Sequence, residues 1–434
     1  LSEAFLKRCT SGGLHFQQVE VDAFEIDDIL HSSLAQTLAA YQQHSVTSTI
    51  HSDDFVHAAA DWLSGHLFAK ALPQYTHAIL NPPYKKIRSN SAHRLALRRA
   101  GIETVNLYSA FVALSLALLR DRGQLVAIIP RSFCNGPYYR PFREFVLNQA
   151  AIRHLHLFES RSKAFKDDAV LQENVIVVLE RGGIQGPVTV STSTDDTFGD
   201  LKKYQHPFKQ IVLPDDPERF IHVPTSLRKD VIEATATVRY SLSELGIEVS
   251  TGPVVDFRLK THLRPMAEED TVPLLYPSHF SDNGITWPIA DAKKPNAIVR
   301  NAETEKWLYP NGSYCLVRRF SSKEEKRRIV SCVVDPTLLG NASRVGFENH
   351  LNVFHQHKAG LPKTLAHGLA AFLNTTAVDE HFRRFNGHTQ VNATDLRLIK
   401  YPSRDTLIAL GEWAMGQRML TQAAIDEQFS ALTA

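Results

Sequence analysis

Short apolar runs alternate with stretches of helical periodicity through the first 180 residues of the chain. Residues 16–26 read as a strand, 28–41 as a helix, and 77–80 as a buried strand ending at Asn81-Pro82-Pro83. Residues 106–119 carry the spacing of an amphipathic helix, which breaks at Arg120-Asp121-Arg122-Gly123 before a strand over 124–130. A helix over 140–149 and strands over 152–158 and 174–180 follow. Strands alternating with helices predict an α/β fold with a doubly wound, mostly parallel sheet. The last two strands have no helix between them, which predicts an antiparallel pair at the sheet edge.

The pattern loosens afterwards. Residues 182–224 read as loop-rich, around Ser191-Thr192-Ser193-Thr194-Asp195-Asp196. From about residue 240 the apolar runs are short and broken by Gly252-Pro253, Pro295-Asn296 and Pro310-Asn311-Gly312, as expected for a second domain of mixed α+β type. Two domains are expected, 1–230 and 231–434.

Composition narrows the class. Of 434 residues 43% are hydrophobic and 22% charged, a globular balance that excludes disorder. The formal net charge is only +2, so a nucleic-acid partner requires local basic patches. Cys9, Cys134, Cys315 and Cys332 form no CxxC pair, which argues against a zinc site, any other metal centre and a disulfide framework. The longest apolar runs are strand-sized and no secretory signal opens the chain, so no membrane partner and a cytoplasmic location are expected.

The sharpest chemistry is Asn81-Pro82-Pro83-Tyr84, directly after an apolar strand. Ligands of open α/β sheets bind at the carboxyl ends of strands. Two prolines hold the backbone extended and leave their carbonyls as acceptors. A target amino group could place one N–H on the Asn81 side-chain oxygen and one on the Pro82 carbonyl. Tyr84 offers a face for a target base, a stack worth about 1–3 kcal/mol.

Asn81-Pro82-Pro83-Tyr84 resembles the catalytic motif of S-adenosylmethionine-dependent amino-methyltransferases, notably DNA N6-adenine methyltransferases. Ala23-Phe24-Glu25-Ile26-Asp27 resembles that family's strand-end acidic motif. The resemblance implies that Glu25, with Ile26 beside it, holds the cofactor ribose. Ser52-Asp53-Asp54-Phe55 resembles the next motif, implying that Asp54 accepts from the cofactor's adenine amino group and Phe55 lines the ring. Asn106-Leu107-Tyr108-Ser109-Ala110-Phe111 is similar to a segment packed beneath the cofactor, although Phe111 taken alone reads as core. Phe165, in the loop before the 174–180 strand, is implied to sandwich the flipped base against Tyr84. These ordered motifs resemble the gamma class of type II restriction–modification enzymes (TaqI-like).

In that class the C-terminal domain recognises the DNA target. Two stretches resemble related enzymes: residues 249–258, ending in Arg258, and 387–396, with His388, Thr389, Gln390 and Asn392. Two basic clusters support a double-stranded DNA partner. Lys85, Lys86, Arg88, Arg94, Arg98 and Arg99 follow the catalytic motif, and Arg318, Arg319, Lys323, Lys326, Arg327 and Arg328 lie in the second domain.

The family's Gly-rich cofactor turn is not found before Glu25, so the chain reads as starting one strand and one turn late, with weak cofactor binding expected. The implied activity is direct methyl transfer to adenine N6 of a flipped base by a bacterial, nucleoid-associated monomer, with a separately encoded cognate endonuclease as a candidate partner. The competing readings are a catalytically inert DNA-binding fragment and an amino-methyltransferase acting on protein glutamine or RNA.

Overall fold

A computed structural model describes residues 1–11, 16–42, 45–65, 74–159, 173–214, 216–226, 230–281, 284–321, 325–386 and 389–433. The chain forms two compact units, Leu1–Leu227 and Arg228–Ala434.

Unit 1 runs α1 (Ser2–Thr10), β1 (Val19–Phe24), α2 (Asp28–Ala39), β2 (Val46–His51), α3 (Phe55–Ser64), β3 (Tyr75–Leu80), α4 (Ala92–Arg99), α5 (Leu107–Leu118), β4 (Leu119–Pro130), α6 (Arg140–Gln149), β5 (Ala150–Phe158), β6 (Asn174–Arg181), β7 (Val188–Ser193), β8 (Lys202–His206) and α7 (Phe208–Ile211). β1 and β2 pair in parallel, from Val19 opposite Val46 to Phe24 opposite His51. The remaining strands form one sheet in the order β3-β4-β6-β5-β7-β8. In it β3–β4 and β5–β7 are parallel, whereas β4–β6, β5–β6 and β7–β8 are antiparallel.

Three expectations are corrected here. The larger sheet is mixed rather than mostly parallel. The antiparallel β5–β6 pair is interior, because β6 inserts beside β4 and β7 and β8 extend β5. The loop-rich stretch contains those two further strands. Val188-Thr189-Val190 has strand-forming β-branched residues, but the hydroxyl run after it mimics a turn. Ser191, Thr192 and Ser193 are instead buried, and the Ser191 hydroxyl lies 2.6 Å from His154 Nε2 and 2.8 Å from His156 Nδ1. Hydroxyls satisfied by neighbouring imidazoles can be buried at little cost.

Helix α5 also departs from expectation, being buried on nearly every face rather than amphipathic. It passes straight into β4, and Arg120-Asp121-Arg122-Gly123 belongs to that strand, with Arg122 at φ 66°. Arg181 reaches across to the helix end, donating to the carbonyls of Ala117, Leu116 (3.2 Å) and Leu119 (2.7 Å). A guanidinium there satisfies carbonyls that a helix terminus leaves unpaired. Val56, Leu97, Leu114, Leu125, Ile129, Val146, Leu155, Val177 and Ile221 share the core of this unit.

Unit 2 runs α8 (Val231–Ala234), β9 (Glu248–Thr251), β10 (Leu263–Arg264), β11 (Thr271–Leu275), β12 (Phe280–Ser281), β13 (Gly284–Ile285), β14 (Ala297–Val299), β15 (Leu308–Pro310), β16 (Tyr314–Arg318), β17 (Ser331–Val334), β18 (Arg344–Phe347), β19 (Leu351–His355), α9 (Lys363–Leu373), α10 (Thr376–Phe385), α11 (Ala393–Leu398), α12 (Arg404–Met415) and α13 (Gln422–Thr433). An antiparallel sheet has the order β17-β16-β19-β9, and a second sheet the order β10-β14-β11-β18-β15. Helices α9 and α12 cross at two glycines. A Cβ on Gly368 would meet the Leu407 carbonyl oxygen at 1.7 Å, and one on Gly411 the Thr364 oxygen at 1.8 Å. Among the described residues no helix is long and apolar enough to cross a membrane.

Candidate active site

Strand β3 ends at Leu80, and Asn81-Pro82-Pro83-Tyr84 leaves its carboxyl end with Asn81 exposed and Pro82 buried. The next residues are clasped by the start of α5. Leu107 N donates to Lys85 O at 2.8 Å and Ile87 N to Val105 O at 2.9 Å. Asn106 caps α5, its side-chain oxygen 3.3 Å from Tyr108 N. The half-buried Tyr84 ring meets Tyr108 edge-on at 6.1 Å. Its hydroxyl lies 3.1 Å from Ile128 O, closer than the 3.4 Å to Asn81 Oδ1. The shorter of the two contacts is the one to β4, and the exposed Asn81 oxygen keeps capacity to accept a further hydrogen bond.

Two more acidic groups stand at strand ends of the parallel pair. Glu25 follows β1, its backbone N–H donating to His51 O at 3.0 Å. Its Oε1 accepts from Asp27 N at 2.9 Å, and Ile26 beside it is 67% exposed. Asp54 follows β2 and caps α3, Oδ1 accepting from Val56 N at 2.8 Å and His57 N at 3.3 Å. Asp54, not Asp53, is therefore the cap. Its Oδ2 lies 2.8 Å from Nε2 of His93 on α4. Burial pushes the Asp54 carboxyl up, but His93 and the two backbone N–H groups outweigh it and the pKa is lowered. Phe24 meets Phe55 at 5.1 Å, and Phe55 meets Phe111 at 5.0 Å, joining the β1–β2 pair to α5. Phe111, read as core, is only half-buried, and it is Tyr108 that is enclosed.

The basic cluster after Tyr84 divides. Lys85, Lys86 and Arg88 are exposed, whereas Arg94 is buried and bonded to Glu103, Arg98 lies 3.3 Å from Glu103 and Arg99 3.4 Å from Asp61. In the second cluster Arg328 is buried, Arg318, Arg319 and Arg327 are half-buried and Lys326 is exposed. Arg328 is 1% exposed and donates to Asn386 Oδ1 at 2.8 Å, Arg327 donates to Thr375 O at 3.0 Å, and Arg318 pairs with Glu325 at 2.5 Å. Guanidiniums with several fixed acceptors act as staples, a role charge counting does not reveal.

Arg319, Gln390, Thr389 and Asn392 come together in unit 2. Arg319 Nη2 donates to Gln390 Oε1 at 3.3 Å, and Ser321 N donates to Thr389 O at 3.1 Å. Asn392 forms a capping box with the buried Asp395 at the start of α11. Arg258 is exposed, its guanidinium 5.5 Å from the Phe257 ring centroid. Phe165, Lys323 and His388 lie outside the described residues. The sequence reading missed His93, whose partner is distant in the chain, and the polar step Glu348-Asn349-His350 between two apolar strands.

An α/β unit with an Asn-Pro-Pro-Tyr turn and acidic side chains at neighbouring strand ends has the architecture of a methyltransferase domain. In fold the whole chain is similar to MmeI, a type IIL restriction-modification enzyme solved in complex with DNA, at a TM-score of 0.53 with 12% identity, covering all of this chain and 66% of that one. A family model described as Eco57I restriction-modification methylase matches residues 17–165. The chain is 55% identical over 436 residues to the type II methyltransferase M.BsuBI of Bacillus subtilis, covering all of this chain and 86% of that protein. It is 42% identical over 415 residues to the type II methyltransferase M.PstI of Providencia stuartii, covering 94% and 81%. The chain belongs to the type II restriction–modification methyltransferases.

Proposed function

We propose that this methyltransferase modifies adenine N6 within a specific DNA sequence, with S-adenosylmethionine as donor, the base flipped from the duplex and residues 231–434 recognising the target. The observation that carries the reading is Asn81 displayed at the carboxyl end of β3 with its side-chain oxygen left to accept, beside a Tyr84 ring fixed by Ile128 and Tyr108.

The strand-end residues fit the donor in chemical type. Glu25, Ile26, Asp54, Phe55 and Asn81 would hold it, with two carboxylates for hydroxyl and amino donors and apolar side chains for a ring. At Asp54 the fit requires sharing, because His93 occupies Oδ2. Bound there, S-adenosylmethionine would supply an electrophilic methyl group. Asn81 Oδ1 and the Pro82 carbonyl accept the two amino hydrogens of adenine, orienting its nitrogen and favouring the charge that develops on it. Tyr84 supports the base from one face, and Phe165 is assigned the other. Lys85, Lys86 and Arg88 are assigned to the DNA phosphates near the flipped base. Arg258, Arg318, Arg319, His388, Thr389, Gln390 and Asn392 belong to the target-recognition part of the proposal. A monomeric enzyme with a separately encoded cognate endonuclease completes it.

Incubation of the full-length protein with labelled S-adenosylmethionine and DNA should yield N6-methyladenine, and Asn81→Ala should abolish transfer while retaining DNA binding. Label confined to cytosine would overturn the assignment.

A further inference from the structure

Residues 347–352 gather segments distant in sequence. Val254 N donates to Phe347 O at 3.1 Å, Arg319 N to His350 O at 2.8 Å, and Asn352 Nδ2 to Val391 O at 2.7 Å. Gly252 packs so closely that a Cβ would lie 2.2 Å from Glu348 O. At the centre, Glu348 has a fully buried side chain. Its Oε2 accepts the His350 backbone N–H at 2.9 Å, and its Oε1 lies 2.7 Å from His350 Nδ1. Asp256 and Lys294, themselves paired at 2.7 Å, are the further charges acting on it. A buried carboxylate costs stability unless its partners are fixed; here Oε2 holds the His350 main chain, and Oε1 stands at ion-pair distance from the ring without a hydrogen bond.

The consequence is a His350 main chain fixed by hydrogen bonds, with the imidazole held beside the carboxylate at ion-pair distance. Its Nε2 meets no partner among the described residues, and the side chain is 39% exposed. Phe320 lies against it with ring centroids 4.9 Å apart and is itself 44% exposed. Arg319 is committed internally, donating to Asn349 O at 3.2 Å and Gln390 Oε1 at 3.3 Å. A phosphate contact would favour a free, long cation. This patch presents instead one exposed ring nitrogen beside an apolar ring, the combination that reads base edges and thymine methyl groups.

We infer that His350 and Phe320 form a base-reading pair in the major groove of the target duplex, with Glu348 and Arg319 as positioning residues. The inference rests on unit 2 being the target-recognition part of a DNA methyltransferase.

The test is selection from a random-sequence duplex library by the full-length protein, followed by binding titrations at several salt concentrations. The wild type should enrich one motif. His350→Ala should enrich that motif with one base pair degenerate and bind the original about tenfold more weakly at an unchanged salt slope. Phe320→Ala should blur the adjoining position, and Glu348→Gln should reproduce the His350→Ala pattern. The two alanine variants alter partly exposed residues, so they remain decisive even if Glu348→Gln fails to fold. An unchanged motif and affinity for His350→Ala would overturn the inference. So would uniform weakening with a shallower salt slope, which marks a phosphate contact. A wild type that enriches no motif refutes the recognition reading itself, an outcome distinct from both.

Discussion

The Tyr84 hydroxyl lies 3.1 Å from the Ile128 carbonyl, tying the aromatic residue of the Asn-Pro-Pro-Tyr turn to strand β4 beside it in the sheet. With the clasp between residues 85–87 and 105–107, this fixes the turn from both sides. Tyr84→Phe keeps the ring and removes the tie. It should cost about 0.5–1.5 kcal/mol of stability and lower the methylation rate about tenfold as the ring loses its orientation. Thermal melting and initial rates check this; an unchanged rate would show that the hydroxyl has no positioning role.

His93 lies on the Asp54 oxygen that the proposed cofactor would share. His93→Ala should therefore tighten S-adenosylmethionine binding, measured by calorimetry, whereas Asp54→Ala should weaken it. The same substitution carries a pH signature. A carboxyl whose folded pKa is lowered contributes stability above its unfolded value, lost as pH falls through the folded value. Without His93 the acid limb of unfolding should move to higher pH, and weaker cofactor binding by His93→Ala would refute that sharing.

His156 is a second titration to follow. It is 4% exposed, and burial, aided by the neighbouring His154 charge, lowers its pKa to about 4. The unfolded chain takes up this proton near pH 6.5 and the folded chain only near 4. Stability is therefore full above about pH 6.5 and falls by about 3 kcal/mol as pH drops to 4. His156→Gln should flatten that part of a denaturation-versus-pH profile; an equally steep profile would assign the slope elsewhere.

Gly368 and Gly411 allow α9 and α12 to touch backbone to backbone. Alanine at either position should destabilise unit 2 by about 3 kcal/mol, because the obstructing atoms are main-chain carbonyl oxygens that cannot rotate away. A urea midpoint within error of wild type would mean that the helices separate freely.

Local pattern made much of unit 1 legible. Helix α6 occupies 140–149 as read, and β3 ends at Leu80 where the proline pair stops it. Pairing was less legible, because β6 inserts beside β4 through contacts between strands far apart in the chain. Strand β7 hid behind Ser191, Thr192 and Ser193, whose burial depends on histidines of β5. At the candidate site, motif and order pointed to Asn81, Tyr84, Glu25 and Asp54, whereas nothing in the sequence pointed to the His93 hydrogen bond. Arg327 and Arg328 looked like free charge because the acceptors that hold them, on Thr375 and Asn386, come later in sequence.

Arg143 donates to the carbonyls of Phe133 (3.0 Å), Gly136 (2.8 Å) and Glu218 (2.7 Å), and Ile221 N donates to Cys134 O at 2.9 Å. The last of these partners lie at the far end of unit 1. A chain cut before residue 218 would therefore lack the Glu218 carbonyl that accepts from Arg143 and the Ile221 N–H that reaches Cys134. The final segment of unit 1 is thus a structural part of it, needed to satisfy a buried guanidinium.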